Sequence, residues 1–566
     1  LDGAEETVTV PLTWTFEMGE DAEPVVFETT ANLRLHIEEA PEGATATPEP
    51  RWVADWNPTL VHPDATADTR FALSVLEPER ADIVDSDGMA IIRMRDVWRV
   101  GIDKQNLPVE EQDAAARALA TRLEMDPDAF AARVESAGEK AFVVAITIRQ
   151  EEEEQWGVEG LRQMRGVLLV HSELPLGPTA TFARPVLGSI GEATAEIIEK
   201  SEGRVEVGDL VGLSGLAAAY EDQLRGTEGW LLELVPAEGV ATATHRTEIA
   251  REDAADGEPL VVTLDTTMQM LAEELLAPHE GASAIAVVRA SDGHVLALAS
   301  GPGSQGYNTA ALGQYAPGST FKISTALTLM RAGYTPETEL ECTPTSNVEG
   351  RNFTNYPGYP DAHAGRIPLH LVIAYSCNTA LINEAGAISA EDLQSGAASL
   401  GLGTPGPWAF PYYSGTVPAD ATGTYHAAAL IGQGGVTASP LAMATVAASV
   451  AAGHTVVPVL LPNNEQEAAP GSATEALTPE EAGALAEMMR AVVTSGTGTR
   501  LADVPGEPVH AKSGTAQWGD GNSIHGWMIA YQGDLAIAAF VEDAALSGSS
   551  DAGPIVEEFL RRLVIE

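Results

Sequence analysis

Lysine is nearly absent from this chain. Of 566 residues only five are lysine (Lys104, Lys140, Lys200, Lys322 and Lys512), and 31 basic residues face 82 acidic ones. The formal net charge of −51 excludes a nucleic-acid partner, because phosphate binding needs clustered Lys and Arg. It argues equally against adhesion to an anionic membrane through a basic patch, and it fits a solubilising, salt-tolerant surface. Cysteine occurs twice, at Cys342 and Cys377. That is too few for a disulfide scaffold, and no metal-ligand spacing is present. One bridge could join the two, but two free buried thiols are the expected state. Long apolar runs are missing too. "LAMATVAASVAAG" (441–453) is short and interrupted by Thr and Ser, so it reads as a core helix and not as a membrane span. The opening residues do not read as a signal segment. That leaves two expectations: a chain soluble by nature, or one whose anchor lies outside this sequence.

What is present is ordinary for folded protein, with 45% hydrophobic and 20% charged residues. The length calls for two to four domains. The first 30 or so residues alternate apolar and polar, as antiparallel strands with one wet face do. "EEAPEGATATPEP" (38–50) reads as a turn region. "PVEEQDAAARALATRLEM" and "DPDAFAARVESAG" carry helical spacing, the second opened by Asp126-Pro127-Asp128. "ATHRTEIAREDAADGEP" (243–259) reads as a linker or hairpin entering a new domain. Beyond it come a strand and helix, then "ASAIAVVRASDGHVLALAS" as two strands turning at Asp292-Gly293. Ala-rich helices, a strand hairpin at "HGWMIAYQGDLAIAAFVED" and a terminal helix complete the chain. The order predicts an α+β architecture, an antiparallel sheet covered by helices. No internal repeat is visible.

The scarce lysines direct attention to "APGSTFKIST" (316–325). After the Pro317-Gly318 turn, the apolar pattern predicts a helix ending at Gly333, with Ser319 at its N-terminus and Lys322 on the same face. A serine hydroxyl is a weak nucleophile unless a base takes its proton. A lysine in a partly dry pocket can be that base near neutral pH, whereas arginine cannot. The bland alternative is an N-capping serine beside a solvated lysine, and four residues alone favour it. Two further stretches change the balance: "YSCNTA", with Ser376 and Asn378, and "AKSGTAQW", with Lys512, Ser513, Gly514 and Thr515 on a strand. S-x-x-K, S-x-N and K-[ST]-G in this order form the combined signature of penicillin-recognising serine acyl transferases. Each is weak alone; three in order are specific.

On these motifs the chain resembles the penicillin-binding proteins, specifically the monofunctional class B D,D-transpeptidases of bacterial cell-wall synthesis. "TLDTTMQ", "YNTAALGQYAPGSTFK" and "IGQGGVTASPLAMA" extend the likeness over about 255–566. "RPVLGSIGEAT" and "GDLVGLSGLAAAYEDQLRGTEGW" resemble the family's pedestal, or dimerisation, domain. "RWVADWNPTLVHP" resembles, more loosely, the N-terminal domain of the low-affinity, methicillin-resistance type. Ala81 and Ser86 stand where the family has Gly and Arg, Ala217 where it has Glu, and Ala511 where it often has Gly. The resemblance implies three domains: a small, shortened N-terminal α+β domain (1–78), a mixed α/β pedestal (79–250) and a serine β-lactamase-like transpeptidase domain (251–566).

It also implies roles. Ser319 would be the nucleophile and Lys322 its base. Ser376 would relay a proton, and Asn378 would orient Lys322 and bind the substrate amide. Lys512 would attract the substrate carboxylate and hold the Ser376 hydroxyl, and the Ser513 and Thr515 hydroxyls would bind that carboxylate. Gly514 would leave room for a substrate strand. The backbone N–H groups of Ser319 and Thr515 would form the oxyanion hole. Partners would be peptidoglycan stem peptides, β-lactams and cell-wall synthesis proteins such as a glycosyltransferase, outside the cytoplasmic membrane. The alternatives are hydrolysis of the same acyl-enzyme, by a D,D-carboxypeptidase or β-lactamase, and a non-catalytic β-lactam sensor or scaffold. No E-x-x-L-N-like loop supplies a deacylating glutamate, and the long N-terminal half suits neither a β-lactamase nor a sensor. His525 is expected to be structural, and Trp518 and Trp527 to pack in the core, the alternative being that they line the cleft; Cys377 is expected to be a buried filler, and Asp265 and Gln269 to cap and pack a helix. The resemblance implies no metal or organic cofactor.

Overall fold

The computed structural model describes residues 7–18, 23–36, 49–201, 203–238, 246–404, 406, 409–463, 475–519 and 523–563. The turn region at 38–50 falls almost wholly outside them. The chain divides into two compact units, 1–81 with 222–258, and 82–221 with 259–566.

In the first unit the alternating N-terminal pattern forms a hairpin, Thr7–Phe16 against Val25–His36, with Arg51–Ala54 beside it. Trp14 donates its indole N–H to the Leu60 carbonyl at 2.8 Å. Phe16 stacks on Phe27, and His62 meets Phe27 and Phe71 edge-on, with Phe71 tilted against Phe16, so that the four rings form an aromatic cluster. The stretch 243–259 resolves its two readings in favour of a hairpin: Thr247–Glu252 pairs with Gly229–Pro236, which pairs in turn with Thr69–Leu76.

The second unit holds two cores. One lies between the long strand Ala90–Asp103, flanked by Phe142–Arg149 and Val167–Leu176, and the helices Val109–Arg122 and Pro127–Ser136. Asp126 caps the second helix, accepting from the N–H groups of Asp128 and Ala129. Lys104 closes its far end: the buried ammonium donates to the Val134 and Ala137 carbonyls, each at 2.6 Å. Those carbonyls have no intrahelical partner, and a cation suits that pole of the helix.

The other core is built on a five-stranded antiparallel sheet. Its strands are β1 (Ser283–Arg289), β2 (Val295–Ser300), β3 (His510–Trp518), β4 (Ser523–Gln532) and β5 (Leu535–Val541), in the order β2-β1-β5-β4-β3. The strands are rich in alanine, so helices pack close on both faces. Helices α1 (Thr266–Leu276) and α6 (Gly548–Leu563) share one hydrophobic core with the sheet. Helix α4 (Pro440–Ala452), the predicted "LAMATVAASVAAG" element, lies against β1, β4 and β5 and is buried almost throughout. Asp265 caps α1 through the Met268 N–H, and Gln269 is buried and accepts from the Leu298 N–H at 2.7 Å, as expected of both. Because β3 is the edge strand, one row of its backbone groups has no neighbour in the sheet. Among the described residues no helix is long and apolar enough to cross a membrane.

Candidate active site

Ser319 lies on a 3-10 turn, Gly318–Phe321, that runs into helix α2 (Lys322–Arg331). The sequence placed it at the N-terminus of an α-helix. The tighter turn has three residues per turn and brings i and i+3 into line, so Ser319 and Lys322 are aligned more closely than on an α-helix. The turn is pinned from three sides. The indole of the fully buried Trp527 donates to the Ala316 carbonyl at 3.0 Å, Gly318 N–H donates to the Gly432 carbonyl at 3.0 Å, and the Thr320 hydroxyl donates to the Pro317 carbonyl at 2.7 Å. Gly318 has φ +53°, and a Cβ there would stand 2.5 Å from the Thr515 carbonyl oxygen. Only glycine allows the serine's turn to lie this close to β3.

The second motif forms the break before helix α3 (Asn378–Asn383). Ser376 is buried and carries φ +60°, a left-handed conformation that costs a non-glycine residue energy and has to be held by its surroundings. Cys377 is tied to Cys342 by a disulfide spanning 35 residues. This corrects the expectation of two free thiols: Glu339–Cys342 is a strand, paired with Gly365–Pro368, that packs against α3 and brings the two sulfurs together. Both cysteines are fully buried, as a filler would be, but their role is a covalent one.

The third motif lies on β3, where alternation splits it. Lys512 and Gly514 face one side of the sheet, Ser513 and Thr515 the other. A Cβ at Gly514 would meet the Pro317 oxygen at 2.7 Å and Thr320 Cγ2 at 2.8 Å. The space this glycine leaves is therefore occupied by the turn that carries Ser319.

These three segments converge on two buried lysines. Lys322 Nζ donates to the Ser376 carbonyl at 2.8 Å and to Asn378 Oδ1 at 2.7 Å, and lies 3.2 Å from Ser376 Oγ. Lys512 Nζ reaches the same Ser376 Oγ at 3.0 Å from the other side and donates to the Ser513 carbonyl at 2.9 Å. Ser376 Oγ thus bridges the two amines. Neither lysine has a carboxylate partner among these contacts, and both side chains are inaccessible to solvent. Burial, and then the charge of Lys512, holds Lys322 well below the usual lysine range, and burial lowers Lys512 to about 7. Two ammonium groups sharing one hydroxyl in a dry site are strongly unfavourable. The arrangement therefore favours a neutral Lys322 beside a Lys512 still able to hold its proton. A neutral Lys322 spends its two N–H groups on the two carbonyls, leaving a lone pair for a hydroxyl proton.

Ser513 and Thr515 have partners the sequence did not disclose. Ser513 Oγ and Thr497 Oγ1 are 2.7 Å apart, and Thr515 Oγ1 accepts from the Gly548 N–H at the start of α6 at 3.0 Å. Thr497 and Gly548 stand outside all three motifs, and no periodicity marks them. His525 is buried, bonded through Nδ1 to the Glu542 carbonyl, stacked on Trp518, edge-on to Tyr315 and tilted against Phe540. Burial lowers its pKa, which fits a neutral packing residue. Trp527 belongs to the core, while Trp518 stays about a third exposed at the end of β3. No cluster of potential metal ligands occurs among the described residues.

Residues 283–561 match the family model described as the penicillin binding protein transpeptidase domain, and 75–262 match that of the penicillin-binding protein dimerisation domain. The chain is 25% identical to Penicillin-binding protein 3 of Bacillus subtilis over 94% of its own length and 82% of that protein's. It is 31% identical to the peptidoglycan D,D-transpeptidase PbpA of Mycolicibacterium smegmatis over 45% of its own length and 56% of that protein's. To the peptidoglycan D,D-transpeptidase MrdA of Acinetobacter baumannii it is 25% identical over 80% of its own length and 73% of that protein's. In fold it resembles a chain in the complex between Penicillin-Binding Protein (PBP2) and MreC from Helicobacter pylori. The TM-score is 0.63 at 19% identity, covering 88% of this chain and 99% of that one.

Proposed function

Because the chain belongs to the class B penicillin-binding proteins, we propose that it cross-links peptidoglycan stem peptides as a D,D-transpeptidase, through an acyl-enzyme on Ser319. The observation that carries the mechanism is the pair of buried lysines on either side of Ser376 Oγ, with Lys322 behind the turn that presents Ser319. Neutral Lys322 takes the Ser319 proton as Oγ attacks the carbonyl between the two terminal D-alanines. The negative oxygen that develops is held by the Ser319 and Thr515 N–H groups, a stabilisation usually worth about a hundredfold or more per donor. The proton passes through Ser376 Oγ to the departing D-alanine amine as the peptide bond breaks, leaving an ester on Ser319. An amine from a neighbouring stem peptide attacks that ester, forms the cross-link and returns a proton to the serine. Protonated Lys512, with Ser513 and Thr515, binds the substrate carboxylate. Asn378 orients Lys322 and the substrate amide. The open edge of β3 offers backbone groups for an extended substrate to pair with. β-Lactams acylate the same serine.

Of the division proposed from sequence, into 1–78, 79–250 and 251–566, the last two parts are supported by the family matches over 75–262 and 283–561. The substrate lies outside the cytoplasmic membrane, and there we place the enzyme; cell-wall synthesis proteins are its expected neighbours.

Two measurements test the reading. Ser319→Ala abolishes labelling by a fluorescent penicillin, and labelling of that variant at full stoichiometry refutes the nucleophile. Given a D-Ala-D-Ala stem peptide and an amine acceptor, the protein forms the cross-linked peptide. Release of free D-alanine with no cross-link would make it a carboxypeptidase instead.

A further inference from the structure

Helix α3 lacks the cap its own sequence would be expected to supply. Its N-cap residue is Cys377, whose sulfur is committed to the disulfide and which makes no capping hydrogen bond. The N–H groups of the first turn then need an acceptor from elsewhere. It comes from Asn355, 23 residues upstream: Asn355 Oδ1 accepts from Asn378 N–H at 2.8 Å and from Thr379 N–H at 3.2 Å. Asn355 Nδ2 donates to the Thr343 carbonyl at 3.2 Å, and that carbonyl also accepts the Thr379 hydroxyl at 2.6 Å. The neighbouring Thr354 carbonyl accepts from Asn378 Nδ2 at 3.0 Å. With Nδ2 so engaged, Asn378 turns Oδ1 toward Lys322 Nζ.

We propose that Asn355 is a positioning residue for the acylation step: it caps α3 from outside the helix, fixes the strained Ser376 and the Asn378 amide, and so holds two oxygens that Lys322 Nζ donates to. This rests on the reading of Lys322 as the base. The residue touches neither lysine nor the nucleophile in any of its hydrogen bonds, and it acts through the backbone it caps. The disulfide fixes where Cys377 lies but satisfies no N–H group; Asn355 supplies what the disulfide cannot.

A merely structural asparagine would change stability and leave the base's titration alone. A positioning residue changes both the rate and its pH dependence. The charge acting on Lys322 is that of Lys512 on β3, while Ser376 and Asn378 present neutral oxygens. Burial is the main reason Lys322 titrates low, so loosening the turn lets water reach the ammonium and moves the ascending limb of the profile to higher pH.

The experiment measures the second-order acylation rate by a fluorescent penicillin against pH for the wild type, Asn355→Ala, Asn355→Asp and Lys322→Ala, with thermal melts alongside. Asn355→Ala is expected to acylate roughly ten- to a hundredfold more slowly, as small misplacements of catalytic groups do, with its ascending limb at higher pH. Asn355→Asp keeps an acceptor oxygen of the same reach and restores most of the plateau rate. A folded Asn355→Ala with the wild-type rate and profile overturns the proposal. So does a slow one whose limb is unmoved and which Asn355→Asp does not rescue. If Asn355→Ala does not fold, Asn355→Ser, too short to reach both N–H groups, is read by the same criteria. Lys322→Ala separates the two levels: if it acylates normally, the base assignment has failed, whereas its inactivity beside an unaffected Asn355→Ala overturns only the role of Asn355.

Discussion

Replacing Lys512 by methionine should yield a protein that is more stable below neutral pH and nearly inactive. A lysine that ordinarily titrates at 10.5 does so at about 7 in this fold, because it is fully buried. At about 1.4 kcal/mol per pH unit, that fall means the folded state loses about 5 kcal/mol relative to one in which the group titrated normally. Between pH 7 and 10.5 the unfolded chain binds a proton that the native protein does not, so unfolding takes up a proton and stability rises with pH. The penalty is complete below about pH 7 and gone above 10.5. Methionine fills similar space without the charge, but it leaves Ser376 Oγ and the Ser513 carbonyl without their donor, at about 1–3 kcal/mol. The net gain is about 2–4 kcal/mol at pH 6, shrinking as pH rises through 7 and reversing between about pH 8 and pH 10. Urea unfolding of both proteins across that range, followed for the unit that contains β3, measures it. The same variant should acylate with penicillin at least about a hundredfold more slowly, since it has lost the charge proposed to attract the substrate carboxylate. A variant less stable than the wild type at pH 6, or a difference in midpoint that does not vary with pH, would refute the argument that this site is maintained at the expense of stability.

Three further outcomes follow from the same geometry. The second-order acylation rate of the wild type should be bell-shaped in pH: it rises as Lys322 loses its proton, well below the usual lysine range, and falls near pH 7 as Lys512 loses its own. A rate still climbing at pH 9 would contradict the division of roles between the two lysines. Gly514→Ala places a Cβ 2.7 Å from the Pro317 oxygen, so β3 must move away from the nucleophile's turn; acylation should fall by about two orders of magnitude while the fold persists, and a wild-type labelling rate would show that the contact is slack. The double substitution Cys342→Ser with Cys377→Ser opens a 35-residue loop and should cost about 3–4 kcal/mol by the chain-entropy relation; urea midpoints of the variant and of the wild type with and without reductant report it, and identical midpoints would mean that the bridge constrains nothing.

Lys104 shows where composition could mislead. The rarity of lysine suggests that those remaining do what arginine cannot, and Lys322 and Lys512 fit that description. Lys104 is buried too, though less completely, and its ammonium closes a helix end through two carbonyls. Lys200 simply pairs with Glu196 one turn earlier on an exposed helix. Scarcity marked the candidates; only their surroundings separated a lysine proposed as a base from one that caps a helix.

The amino-acid order alone determined the elements and the chemistry of the motifs. Alternation specified the N-terminal hairpin and the strands of the sheet, helical spacing and Asp126 specified the helices of the first core, and the order of Ser319, Lys322, Ser376, Asn378, Lys512 and Thr515 pointed to the proposed nucleophile and the groups around it. These are local properties, carried by periodicity and by side-chain type. Tertiary structure decided the rest, because each remaining feature depends on atoms far apart in the chain. It folded the Ser319 segment into a 3-10 turn wedged against β3, joined Cys342 to Cys377, brought Asn355 and Thr497 to segments they do not adjoin, and buried two lysines on one hydroxyl. A lysine becomes a base through the water it loses and the charge placed beside it, and neither is written in the residues next to it.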